Sequence, residues 1–323
     1  MDQYNKDTSY IAVVDILKAL ACVMIFLYHC NTILPGEWKF ITIFGQDLGN
    51  NLFFMISGFA LAPSIDKTKP KGFPLWYLKR MIRILPITFI AYIAAYIAGF
   101  YSFADYGQLF AVFIYPTLYW FITAIMVFYI LLFFLTKLTS VRVQAAVLIL
   151  LAAGYIALTG RQERLYAIGF LSMLAGYMTR RATGQGAGAV SRKQKMICAV
   201  MAVISLFLFI AGEYMKDGFA AAFMILISSQ VFGITALCLG YWANERLGSV
   251  MKEGKGLRSV IKYTGDMALP LYLVQCFCSG YTGFLIGQHI DFPLSFLVNF
   301  IVVWGLGTIL CLISALIMIF AIF

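Results

Sequence analysis

Charge is what this sequence has least of. Only 12% of its 323 residues are Asp, Glu, Lys or Arg, while 62% are hydrophobic and the mean hydropathy is +0.89. A soluble globular domain carries about one quarter charged residues, so that class is excluded. No hydrophilic stretch is long enough for a soluble catalytic module, and no internal repeat is visible. The seven cysteines (Cys22, Cys30, Cys198, Cys238, Cys276, Cys278, Cys311) form no C-x-x-C pair and stand at no metal-ligand spacing from a histidine. They read as small hydrophobes within apolar blocks, and no metal is expected. A cleavable signal peptide is not expected either, because the first apolar block is too long for one and no small-residue cleavage site follows it. The first span should therefore remain in the mature protein.

Apolar blocks recur from end to end, each about long enough to cross roughly 30 Å of hydrocarbon. Taken between charged or Gly/Pro punctuation they predict ten spans, near 11–34, 44–65, 84–101, 117–135, 143–159, 165–178, 196–211, 219–241, 267–287 and 293–323. The expectation is an all-α, polytopic helix bundle forming one integral domain over 1–323, with no appended soluble domain. With the N-terminus in the cytoplasm, all of the 24 Lys and Arg except Lys39, Arg161, Arg164 and Lys216 fall on the cytoplasmic side. That is the distribution of the positive-inside rule. The net charge of +10 thus reports topology and contact with anionic membrane lipids, and needs no nucleic acid to explain it. The basic loops are 66–80, 180–195 and 244–262, the second a Gly-rich connector.

The first span, "DILKALACVMIFLYHC" (15–30), nevertheless keeps Asp15, Lys18 and His29. Eleven residues separate Lys18 from His29, about three helical turns and roughly 16 Å of rise, so the two share a face with Asp15, Cys22 and Ile25. Asp15 and Lys18 can pair, and Lys18 can also reach the cytoplasmic interface. His29, deep in the outer half of the span, has two readings. It hydrogen-bonds a neighbouring helix, or it is a neutral imidazole placed to take a proton from a hydroxyl.

Other segments offer similar choices. In "NNLFFMISGFALA" (50–62), Ser57 and Gly58 form a small-residue face suited to close helix packing. In "WYLKRMIRILP" (76–86), Lys79, Arg80 and Arg83 cluster at a cytosolic helix start, as a surface anchor or a phosphate site. Tyr119 and Trp120 open a span at the outer face as an interfacial belt. "YTGDMALPLYLVQ" (263–275) places Tyr272 and Gln275 inside a span, where Gln275 can simply bind helices together.

Taken in order, these segments resemble the motifs of the acyltransferase 3 family of membrane O-acyltransferases. "DILKALACVMIFLYH" is similar to its D-x-x-R followed by ten residues and a His. "LGNNLFFMISGFAL" is similar to G-V-D-L-F-F-v-x-S-G-F, and "KRMIRILP" to R-R-x-x-R-I-x-P. "LYWFI" is similar to x-W-F-L, and "YTGDMALPLYLVQ" to G-x-x-S-Y-x-x-Y-L-x-H. Lys18 stands where the family usually has Arg, Asn51 where many members have Asp, and Gln275 where many have His. No Gly-Asp-Ser hydrolase-like domain follows the last span.

The resemblance implies transfer of an acyl group, usually acetyl, from cytosolic acyl-CoA to a sugar hydroxyl of a cell-surface or lipid-linked glycan, in the plasma membrane of a bacterium. It makes His29 the catalytic histidine, with Asp15 and Lys18 beside it on the stripe, and assigns the acetyl-CoA phosphates to Arg80 and Arg83, flanked by Lys79. Ser57, Asn51 and Tyr272 are candidates for stabilising an oxyanion, and Tyr119, Trp120 and Gln275 complete the expected substrate-binding set. A separate extracellular transferase is a compatible partner. The competing reading is a transporter or flippase of a lipid-linked glycan, which also needs a polar path but no catalytic histidine.

Overall fold

In the computed structural model the described residues are 12–99, 120–157, 161–184, 191–215, 218–243, 255–277 and 287–322. Among them there is no strand. Eleven α-helices follow in order: α1 Ala12–His29, α2 Asn50–Lys67, α3 Phe73–Ile97, α4 Trp120–Leu138, α5 Val141–Ala157, α6 Arg161–Gly184, α7 Arg192–Tyr214, α8 Phe219–Trp242, α9 Lys255–Asp266, α10 Ala268–Phe277 and α11 Leu294–Ile322. By length and composition seven helical segments suffice to cross a membrane: Val13–Thr32, Gly36–Lys67, Pro70–Ile97, Trp120–Leu138, Arg192–Tyr214, Phe219–Trp242 and Leu294–Ile317. The chain is a multi-pass membrane protein. Helix α5 is apolar but shorter, and α6 carries arginines at both ends. The ends of the expected spans at 100–101, 158–159 and 278–286 lie outside the described residues, as do Tyr119 and Cys278.

Helix α2 is the centre of the bundle. In the span that contains it 72% of the apolar window is buried, against 17% for those of α7 and α11, which therefore present their apolar surface outward. Close packing of α2 on α6 depends on two glycines. A Cβ on Gly58 would overlap the Met173 carbonyl oxygen, and one on Gly176 would overlap that of Met55, so the two backbones touch. Gly58 belongs to the small-residue face foreseen in the sequence; Gly176 does not. With this side of α2 against α6, the side carrying Phe53, Ser57, Leu61 and Ser64 is left to face α3, α4 and α10.

Several boundaries differ from those expected. The span expected from near 84 lies in a helix, α3, that already starts at Phe73, ahead of the Lys79–Arg83 cluster, because a turn at Pro70–Gly72 and Pro74 within the first turn favour helix initiation there. Arg80 and Arg83 therefore lie in its second and third turns and not at a helix start. The basic stretch 244–262 ends in helix α9 instead of remaining a loop. Ahead of α2, a 3₁₀ segment Gly36–Thr42 and a π-helical turn Gly45–Gly49 extend the second span outward. One end of the bundle carries Lys67, Lys79, Arg80, Arg83, Lys137, Arg180 and Arg181, and is called the basic end below. It is tied by Asp66, which accepts from the Tyr177 hydroxyl at 2.6 Å and faces Arg181 Nε at 3.7 Å.

Candidate functional site

A cavity of about 540 Å³ opens among α1, α2, α3, α4, α9 and α10. Its polar lining is Lys18, Ser57, Ser64, Arg80, Arg83, Tyr129, Asp266 and Tyr272. Five of these are expected site residues: Lys18, Ser57, Arg80, Arg83 and Tyr272. Three basic groups against one carboxylate leave the lining net positive, with the cationic groups gathered toward the basic end.

Arg80 is fixed from several sides. Its Cζ lies 3.9 Å from the Trp76 ring centroid, one turn earlier on α3, a stacked cation–π contact. Nη1 donates to the Trp76 carbonyl at 2.8 Å and Nη2 to Ser64 Oγ at 2.7 Å. Ser64 also accepts from Trp76 Nε1 at 3.3 Å and donates to the Leu61 carbonyl at 2.7 Å, which orients the hydroxyl. The buried Nε of Arg80 retains an unused hydrogen. Arg83 is exposed and makes no hydrogen bond or ion pair among the described residues. Tyr129 on α4 is 9% exposed, and its hydroxyl lies within the electrostatic influence of both arginines, with no hydrogen bond to a described residue. An anion seated here would find one guanidinium held still, a second free to adapt and a phenol to donate.

Ser64, Trp76 and Tyr129 were not anticipated. Sequence held a signal for two of them: Ser64 is seven residues, two turns, beyond Ser57, and Trp76 is four before Arg80. Tyr129 had none, since a lone tyrosine in an apolar run reads as core.

The other expected residues lie elsewhere. Asp15 does not turn toward Lys18 but packs against Gly265, while Lys18 faces the cavity. Cys22 follows on the same stripe, with its thiol 3.9 Å from the Ala268 carbonyl. The polar stripe of α1 thus faces α9 and α10, but only Lys18 lines the cavity. Ser57 donates to the Phe53 carbonyl at 2.9 Å. Asn51 is 2% exposed and contacts Ser229 Oγ of α8 at 3.5 Å, a helix-to-helix link. Gln275 is buried, Lys79 is exposed, and Trp120 packs on Phe54 and Tyr166 at ring distances of 6.1 and 5.9 Å.

His29 is the final residue of α1, with its ring 5.4 Å from that of Tyr28. It lies nearer the helix end than the sequence suggested. The depth follows from glycine contacts: a Cβ on Gly49 would meet Ile25 and Met24, and one on Gly45 would overlap Tyr28. Antiparallel to α1, residues 44–45 therefore stand level with His29. Eight residues separate that level from Phe53, the outermost cavity residue on α2, or about 12 Å at helical rise. The cavity and the histidine lie along one line but do not meet.

A family model described as an acyltransferase domain matches residues 11–320, nearly the whole chain. No curated protein and no solved structure matches it.

Proposed function

The chain belongs to the acyltransferase 3 family of membrane proteins, and from that premise we propose that it is an O-acetyltransferase drawing on cytosolic acetyl-CoA. The acceptor in this reading is a hydroxyl of a cell-surface or lipid-linked sugar, and the membrane is the bacterial plasma membrane. In this reading the N-terminus and the basic end face the cytoplasm, which the positive-inside distribution supports, and the chain makes ten spans, the seven long helical segments and three shorter ones. The observation that carries the reading is the cationic end of the cavity: Arg80, Arg83, Lys18 and Tyr129, with Asp266 as the one carboxylate, line it toward the basic end, ahead of an increasingly apolar interior. That order suits a ligand with phosphates at one end and an uncharged arm at the other.

In this scheme Arg80, Arg83 and Tyr129 hold the phosphates while the arm runs along the Ser64–Phe53 face of α2. The donor supplies a thioester. The acceptor hydroxyl arrives from the opposite side, and the scheme requires the roughly 12 Å between the cavity and His29 to close as it binds, so that His29 takes its proton as the oxygen bonds to the acyl carbon. The carbon–sulfur bond breaks, and the proton passes from His29 to the thiolate, releasing CoA as the thiol and the sugar as its ester. Alternatively His29 Nε2 or Nδ1 accepts the acyl group first and passes it to the sugar oxygen. Toward the far end of the cavity, Tyr272 and Ser57, the latter on exchanging its hydrogen bond to the Phe53 carbonyl, are placed to donate to the developing oxyanion.

The test uses purified protein in detergent with radiolabelled acetyl-CoA. His29→Ala should retain donor binding and lose about 10²- to 10⁴-fold in transfer. Label held on wild-type protein without acceptor identifies the acyl-imidazole route, and unlabelled protein the general-base route. A folded wild type that binds no acetyl-CoA, or full transfer by His29→Ala, overturns the assignment.

A further inference from the structure

On each of three helices the cavity residue furthest from the basic end is aromatic: Phe53 on α2, Phe121 on α4 and Tyr272 on α10. The rings touch in series. Phe53 meets Phe121 edge-on at 5.3 Å, and Phe121 meets Tyr272 at 5.0 Å. Behind them Phe121 contacts Phe54 at 4.5 Å and Trp120 at 6.0 Å. Phe121 and Tyr272 are only 2% and 5% exposed. Rings packed on both sides at interior density do not yield to an added methylene without displacing their neighbours. The wall also stands between the cavity and the level of His29.

From Ser64 to Phe53 the lining follows eleven residues of α2, about 16 Å. This is comparable to an extended pantetheine arm, so a donor whose phosphates sit at Arg80 and Arg83 brings its thioester to these rings. We propose that Phe53, Phe121 and Tyr272 form an end wall against which the acyl group rests, and that this wall sets the acyl-chain length the protein accepts. The inference rests on the reading of the cavity as the acyl-donor site. Chain length is then measured by three rings contributed by separate helices, and the same rings keep water from the waiting thioester.

The experiment compares binding of CoA, acetyl-CoA, butyryl-CoA and hexanoyl-CoA to the purified full chain, by displacement of labelled CoA, together with acyl-CoA hydrolysis. Wild type should bind acetyl-CoA better than the longer donors. Phe121→Ala should admit them, each newly buried methylene contributing roughly fourfold, so the butyryl-to-acetyl affinity ratio should rise about 15-fold. Hydrolysis without acceptor should rise with it. Phe121 is a core residue, so Phe53→Ala, at the half-buried ring, provides a second reading should Phe121→Ala fail to fold, with the same direction expected. If folded wall variants bind CoA like wild type and keep its chain-length preference, the wall is refuted while the donor site stands. If wild type binds no CoA at all, the donor reading falls and this inference falls with it.

Discussion

The two halves of the first helix place their chemistry differently. Near its start, Lys18 enters a cavity built with five other helices, where Ser64, Arg80 and Tyr129 line the same volume and Trp76 stacks on Arg80. At its end, His29 stands where α1 gives way to a 3₁₀ turn, beside Tyr28 and level with the π-helical turn before α2. The first region is a preorganised cationic site; the second is a single imidazole on the far side of an aromatic wall. Recognition of a charged ligand needs several groups converging on one volume, so it must be distributed over helices. A proton-transfer group needs only depth and access, which one helix can supply.

This division can be broken first at Arg80. Replacing it with Ala removes the only guanidinium among the described residues that is locked by both a ring and a hydroxyl, and leaves Ser64 Oγ with one donor fewer. A charge-assisted hydrogen bond is worth about 1.5–3 kcal/mol, so acetyl-CoA affinity should fall roughly 10- to 100-fold, measured by displacement of labelled CoA. Arg80→Lys should recover only part of it, because an ammonium cannot stack on Trp76 and donate to Ser64 in the same plane. Undiminished affinity in Arg80→Ala would mean that the cationic end of the cavity is not where the phosphates sit.

A smaller effect is expected at Tyr129. Its hydroxyl has no hydrogen bond among the described residues, so Tyr129→Phe removes a donor while preserving the ring's packing. A loss of about 1 kcal/mol, or roughly fivefold in donor affinity, follows if that hydroxyl meets a phosphate oxygen. Unchanged affinity with unchanged folding would return Tyr129 to the core.

What was legible in the sequence divides along the same line. Apolar block length made the helical membrane bundle readable, and the ordered motifs made the family readable. Helical periodicity correctly put Asp15, Lys18 and Cys22 on one face of α1, turned toward α9 and α10. It could not show that the cavity would stop short of His29, because the wall that stops it comes from Phe53, Phe121 and Tyr272, which sit far apart in sequence. Phe53 and Phe121 read locally as ordinary apolar residues, and Tyr272, though a candidate from the sequence, carries no local sign of the two rings it meets. Likewise α3 begins ahead of the helix start expected at Lys79–Arg83, since the basic segment 66–80 looks like a loop until Pro70 and Pro74 within it are seen to favour helix initiation.

Arg83 gives the subtlest comparison, within the cationic site itself. It stands one turn from Arg80 on the same helix, yet it is exposed and unattached while Arg80 is half-buried and held. An exposed charge separated from its ligand by water is screened over about 8 Å at physiological ionic strength. It should therefore act more on the encounter than on the bound state. Arg83→Gln should slow acetyl-CoA association about two- to threefold at low salt, leave dissociation nearly unchanged, and converge on wild type as salt is raised. Rapid-mixing measurement of both rate constants across a salt series provides the check. A dissociation rate that rises as much as in Arg80→Ala would place Arg83 in direct contact with a phosphate, and the two arginines would then form one clamp instead of an anchor and a guide.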